Sequence, residues 1–231
     1  MFWWRNEVRP GVSLAFTDAG AGNLALHVGD DPEEVMARRA ALETAAGLGG
    51  RYFQYMDQVH GNTVEFIDAL GPGPTADAMV SDGQPLAVMV ADCVPVVLLG
   101  EGPAPDKPIL AVAHAGRPGV ASRVVPATVA EMRLRGATGI RAWIGPSVCG
   151  ACYEVPADMR AAVAMIEPAT WSETSWGTPG LDLPAGVRAQ LAAVDVDLAY
   201  SGECTLENDS LFSYRRDPQS GRFAGLVWTH D

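Results

Sequence analysis

The chain has 231 residues, 48% hydrophobic and 19% charged, with a formal net charge of -12. That length buries a full core and is expected to form one domain, residues 1–231. The acidity excludes nucleic acid and an anionic membrane as main partners, since both require a basic face, so an anionic ligand must be held by a local cluster. Of 16 cationic residues only Lys107 is a lysine, in a loop-like Pro-Asp-Lys-Pro stretch, and Schiff-base chemistry is set aside.

In chain order, residues 12–16 read as a strand. Asp31-Pro32-Glu33-Glu34 then opens a helix, with Asp as N-cap, proline at the first helical position and acids in the first turn; it runs to about Gly47 or Gly49. Strands follow at 63–67, 86–91, 94–99 and 109–113. A helix is predicted over 122–135, with Pro126 in its first turn, then a strand at 140–144 and a helix over 156–167. Asp182 caps a last helix ending near Ala193, before strands at 196–200 and 223–228. Gly- and Pro-rich loops are expected at 71–75, 100–108 and 177–180. Strands outnumber helices without alternating strictly with them, which predicts an α+β fold around a large mixed β-sheet layered with helices. The start lacks a secretory signal pattern, the longest apolar stretch is too short to span a bilayer, and four cysteines make no disulfide scaffold. Reduced thiols and a cytoplasmic location are the expectation.

Chemistry concentrates at strand ends. The run Leu86-Ala-Val-Met-Val-Ala91 leads into Asp92-Cys93, and Ile109-Leu-Ala-Val-Ala113 leads into His114-Ala-Gly116; Gln58-Val-His60-Gly61 supplies a second imidazole. Ligands gather where strands end in layered proteins. His60, Cys93 and His114 therefore have the composition of a zinc or copper site with one open position, although spacings of 33 and 21 residues match no short metal signature. The same Cys93 and His114 equally suit a thiolate–imidazolium nucleophile. Asp92 either orients a histidine or caps the strand turn. Cys149-Gly-Ala-Cys152 has dithiol spacing, but no second C-x-x-C completes a structural zinc site, and two small apolar side chains in a turn is the simpler reading. Arg215, Arg216 and Arg222 place three guanidiniums within eight residues, a candidate anion pocket.

These residues, with Asn23-Leu24, His27-Val-Gly-Asp-Asp31, Ala76-Asp-Ala78, Ile144-Gly-Pro146, Cys152-Tyr-Glu-Val155 and Cys204-Thr205, make the chain resemble the YfiH-like proteins, also called the multicopper polyphenol oxidase (laccase) family. The resemblance implies an α+β fold shared with the deamidating cytotoxic necrotizing factor toxins. It also implies purine nucleoside phosphorylase activity on adenosine, inosine or methylthioadenosine, with adenosine deamination. The implied metal ligands are His60, Cys93 and His114, holding zinc, with copper as the other candidate and small-molecule nucleoside and phosphate as partners. For deamination, the metal would lower the pKa of a water to about 7 for attack at the purine C6. Arg215, Arg216 and Arg222 are implied as phosphate donors, with Arg117, Arg39 and Asn23 as further substrate contacts.

Three departures stand out. Arg117-Pro118-Gly119 replaces the usual Trp-Arg-Gly after His-Ala-Gly, Thr17-Asp18 replaces a Thr-Arg pair, and Arg38-Arg39 replaces Asn-Arg. The kinship keeps open a Cys-His hydrolase or amidase acting on peptidoglycan precursors, and the departures keep open a catalytically degenerate metal-binding member. Phenol oxidation by several coppers would demand more imidazoles than His27, His60, His114 and His230 supply.

Overall fold

A computed structural model describes residues 1–104 and 107–230. The strands are β1 Phe2–Arg9, β2 Val12–Thr17, β3 Val64–Ile67, β4 Ala78–Ser81, β5 Leu86–Val90, β6 Val94–Ala104, β7 Lys107–Ala115, β8 Thr138–Ile144, β9 Trp171–Glu173, β10 Pro179–Leu181, β11 Asp197–Ser201 and β12 Phe223–Thr229. The helices are α1 Pro32–Ala46, α2 Arg117–Ala121, α3 Val124–Leu134, α4 Ala157–Ile166 and α5 Leu183–Ala192. Among the described residues no helix is long and apolar enough to cross a membrane.

The expected mixed sheet is six-stranded, in the order β11-β8-β6-β7-β4-β3, with parallel pairs at both ends and antiparallel pairs between. A second, wholly antiparallel sheet runs β1-β2-β12-β5. The two sheets face each other through Leu14, Phe16, Leu86 and Val88 on one side and Val97, Leu110, Val112 and Trp143 on the other. Alternation along the strands sends the remaining side chains outward. Ala111, Ala113, Val96 and Leu98 pack under α3 and α5 through Val125, Val129 and Val187. Ala15, Ala87 and Trp228 pack under α1 through Leu42 and Ala46. The molecule is thus layered helix, sheet, sheet, helices. This is why the central strands read as unbroken apolar runs: β5, β6 and β7 are covered on both faces.

Local signals hold where they are strong. The Asp31 carboxylate accepts from the Glu33 amide at 2.9 Å, Pro32 opens α1, and Gly47 closes it at φ 78°. Asp182 caps α5 by accepting from Ala185 N at 2.7 Å. The helix expected over 122–135 is α3, with Pro126 in its first turn, where no N–H is needed; the short α2 precedes it, and the two are parted at Arg123 with φ 65°. Two loop readings are corrected. Most of the loop expected over 100–108 is strand, since β6 and β7 continue past the core as a paired extension, Ala104 opposite Lys107; residues 105 and 106 lie outside those described. Similarly, 179 and 180 belong to β10.

Candidate metal centre

The register of the larger sheet assembles the site. Pairing of Val94 with Ala115 and Pro95 with His114 sets the residue before β6, Cys93, beside the end of β7. Pairing of Ala78 with Ala113 sets Asp77 on the other flank, and His114 N donates to the Asp77 carbonyl at 2.7 Å. His60 arrives on the loop before β3, at φ 62°, a conformation non-glycine residues rarely adopt.

The Asp77 side chain is fully buried and is the anchor of this arrangement. One carboxylate oxygen accepts from His114 Nδ1 at 2.8 Å and His60 N at 2.8 Å. The other accepts from Gly61 N at 2.6 Å and Val59 N at 3.3 Å. Burial opposes its ionisation, yet the bond from His114 and the amides of Gly61 and His60 outweigh that and hold the carboxyl below the usual range. With Nδ1–H committed to Asp77, Nε2 of His114 is the nitrogen left for coordination. Asp77 stood in the sequence as part of Ala76-Asp-Ala78 without an assigned role; an acid directly before an apolar strand was the available signal.

Ligand atoms of His60, Cys93 and His114 all lie within 4.8 Å of one another. Cys93 Sγ is 3.8 Å from His60 Nε2, and the imidazoles meet edge to face at 4.6 Å. Tetrahedral zinc with bonds of about 2.3 Å to sulfur and 2.0–2.1 Å to nitrogen sets S and N about 3.6 Å apart, so little movement is needed. Gly116 supports the same fit. A Cβ built there would fall 2.9 Å from the His60 ring, 3.0 Å from Cys93 Sγ and 3.6 Å from His114 Nε2, in the space between the ligands. Two imidazoles and a thiolate suit zinc or copper. Burial would raise the Cys93 thiol, but His114 and His60 beside it bring it down to about 6. Burial would lower His114, but Cys93 and Asp77 carry it up to about 9.

Cys93 opens onto a pocket of about 630 Å³ whose lining includes His60, Asp92, Arg117, Tyr153, Tyr214 and Arg215. Asp92, at φ 81°, orients no histidine: its carboxylate accepts from Thr205 Oγ1 and from Arg215 N, both at 2.6 Å, and so ties the 205–215 segment to Cys93. Arg215 lies over the Tyr153 ring at 5.0 Å, and the positive charges of Arg117 and Arg215 act on that tyrosine against the effect of its burial. Pro118 occupies the first turn of α2, which leaves Arg117 at the helix start and on the pocket wall.

The other arginines are engaged elsewhere. Arg216 points its guanidinium at the carbonyls of Thr205, Leu206, Asn208 and Leu211. Arg222 donates to the Ser220 and Gly221 carbonyls and lies 5.7 Å from the Tyr214 ring. Arg39 stacks at 3.7 Å on Tyr55 and donates to the Leu24 carbonyl, on the wall of a second cavity of about 610 Å³. Asn23 accepts from the amides of Ala25 and Arg222 and donates to Ala25 O and Asp30. His230 pairs with Ser13 at 2.8 Å, and His27 lines the second cavity.

Residues 6–230 match the model of the multi-copper polyphenol oxidoreductase laccase family. The chain is 47% identical over 235 residues to a purine nucleoside phosphorylase of Streptomyces coelicolor, covering 94% of this chain and 96% of that one. It is 42% identical over 215 residues to a purine nucleoside phosphorylase of Corynebacterium glutamicum, covering 89% and 86%. Among solved structures, a Neisseria meningitidis protein of the DUF152 family matches with TM-score 0.83 and 32% identity over 96% of each chain. YlmD from Geobacillus stearothermophilus matches with TM-score 0.85 and 27% identity over 100% of each. By sequence, by fold and by the strand ends that bring His60, Cys93 and His114 together, the chain belongs to the multi-copper polyphenol oxidoreductase laccase family, the YfiH-like proteins.

Proposed function

We propose that this protein is a metal-dependent purine nucleoside phosphorylase that accepts adenosine, inosine or methylthioadenosine and also deaminates adenosine. One observation carries the reading: the two-histidine, one-cysteine set opens onto a pocket walled by two arginines and two tyrosines, in a chain 47% identical to a protein named purine nucleoside phosphorylase. Bound zinc or copper supplies Lewis-acid activation of water or a substrate oxygen. Tyr153 and Tyr214 offer aromatic faces to a purine. Arg117 and Arg215 hold the phosphate, whose oxygen bonds to the sugar C1′ as the bond to the base breaks and the base leaves with the electron pair. Asp77 keeps His114 in one tautomer, and Asp92 sets the backbone that carries Arg215. Arg216 holds the 205–211 segment beside this site and Arg222 lies against Tyr214, whereas Arg39 and Asn23 line other cavities.

The test is purified protein with each nucleoside and phosphate, products separated by chromatography. Free base and the corresponding sugar 1-phosphate (ribose 1-phosphate, or its 5-methylthio derivative from methylthioadenosine), together with inosine or hypoxanthine from adenosine, are expected, and all are lost in Cys93→Ala. Stoichiometric zinc without turnover on any nucleoside would leave a degenerate metal-binding protein instead. A second reading is favoured by the chain of contacts Asp77, His114, Cys93, the order of an orienting acid, a base and a nucleophile. It requires full amidase activity in metal-free protein, abolished by alkylation of Cys93.

A further inference from the structure

The C-x-x-C of Cys149 and Cys152 is completed by a residue 52 positions beyond Cys152: the Sγ atoms of Cys149, Cys152 and Cys204 and a carboxylate oxygen of Glu207 all lie within 4.8 Å of one another. This group shares no member with the His60, Cys93 and His114 set. We propose that these four side chains form a second, structural metal site for a thiophilic divalent cation, with zinc the ion that fits its chemistry.

Tetrahedral zinc with bonds of about 2.3 Å to sulfur separates two sulfurs by about 3.8 Å, inside the 4.8 Å that bounds the ligand atoms here. Cys152 is buried, Cys149 and Cys204 are partly buried, and Glu207 is exposed at the mouth, so the site is closed by protein with a solvent-side way in. Cys149 N donates to Cys204 Sγ at 3.4 Å, a bond that places amide hydrogen against sulfur where thiolate charge would sit. The backbone pre-forms the cage. Ser147 N donates to Glu203 O, Thr205 N donates to Ser147 O, and both Cys152 N and Tyr153 N donate to Cys149 O, all at 3.0–3.1 Å. Arg216, on the carbonyls of Leu206 and Asn208, brings positive charge beside the Glu207 segment.

On binding, each thiol releases its proton to solvent as its sulfur bonds the cation; no electrons move. A disulfide is the competing use of these residues, but it leaves one of three thiols over, and all four cysteines of the chain are free here. The consequence is mechanical. An ion at this point clips the 147–153 segment, which puts Val148 and Tyr153 on the pocket wall, to the segment that reaches Asp92 through Thr205.

The experiment is Co²⁺ titration of the full-length protein, purified anaerobically under reducing conditions and stripped with chelator. Wild type is expected to take two equivalents. Cys93→Ala is expected to lose one and to keep an intense sulfur-to-cobalt charge-transfer band, because three of the four thiolates remain. The Cys149→Ser, Cys152→Ser double variant should lose the other equivalent and most of that band. Glu207→Gln, a surface change that leaves folding intact, should weaken the second equivalent and leave the band. Cys93→Ala that binds no Co²⁺, or binds it without charge-transfer intensity, overturns the proposal. So does isolated protein lighter by two hydrogens, with a disulfide mapped within the trio. None of these readouts depends on nucleoside turnover, so failure here is separate from failure of the phosphorylase reading.

Discussion

Asp77→Asn tests the centre most sharply, because the change keeps shape and removes charge. Four donors converge on the two carboxylate oxygens: His114 Nδ1, His60 N, Gly61 N and Val59 N. An asparagine has one oxygen for them, so its amide nitrogen, in place of either carboxylate oxygen, faces two of the four N–H groups. Leaving a buried donor unsatisfied costs about 1–3 kcal/mol, and each remaining bond loses about 1 kcal/mol of charge assistance. Taking the low end for two orphaned donors and two weakened bonds, the total is about 4 kcal/mol, in line with breaking one side of a buried charged pair. For a domain of this size that is a fall of about 8–16 °C in Tm. There is also a chemical effect. If the amide donates to His114 Nδ1, the proton moves to Nε2 and blocks coordination, so zinc affinity falls about 10–100-fold. Differential scanning calorimetry of chelator-treated protein and zinc competition with a chromophoric chelator read the two effects separately. A variant within about 2 °C and about threefold of wild type would refute the anchoring role of Asp77.

Gly116→Ala should weaken zinc binding in the same competition assay while the far-ultraviolet circular dichroism stays native, because the new methyl lies 2.9–3.0 Å from two ligand side chains; unchanged affinity would show that the space is not needed. In metal-stripped protein, iodoacetamide should alkylate Cys93 with a midpoint near pH 6, since His114 and His60 outweigh burial there; Cys149 and Cys152, both pushed up chiefly by burial, should lag, and added zinc should protect Cys93. Mass mapping that finds Cys149 labelled first would contradict this electrostatic account. Arg215→Met should raise the phosphate KM with little change in deamination, because Asp92 holds the main-chain N–H and not the guanidinium. Asn23→Ala should cost about 1–3 kcal/mol in urea unfolding, from lost bonds to the Ala25 and Arg222 amides, and leave zinc affinity unchanged.

Much of this was legible before any coordinates. The runs before Cys93 and His114 announce strands covered on both faces, and Asp31-Pro32 and Asp182 announce helix starts, because covering and capping are written in adjacent residues. β1 is not legible in the sequence because Arg5, Asn6 and Glu7 occupy the middle of an edge strand that pairs only with β2. Nor is β4, because four residues are too few to show a period.

What only the tertiary structure decided is which distant residues meet. Pairing of β4 with β7 makes Asp77 the partner of His114; nothing within a few residues of either could specify that, because strand register is set by packing of the whole sheet. The same holds for Cys204 and Glu207 closing on Cys149 and Cys152, and for the parting of the three C-terminal arginines, with Arg215 on the pocket and Arg216 on backbone carbonyls. Side-chain chemistry and local pattern named the reactive groups from the sequence; their neighbours, and so their charge states and ligand sets, followed from long-range pairing that brings separate strand ends to one edge of the molecule.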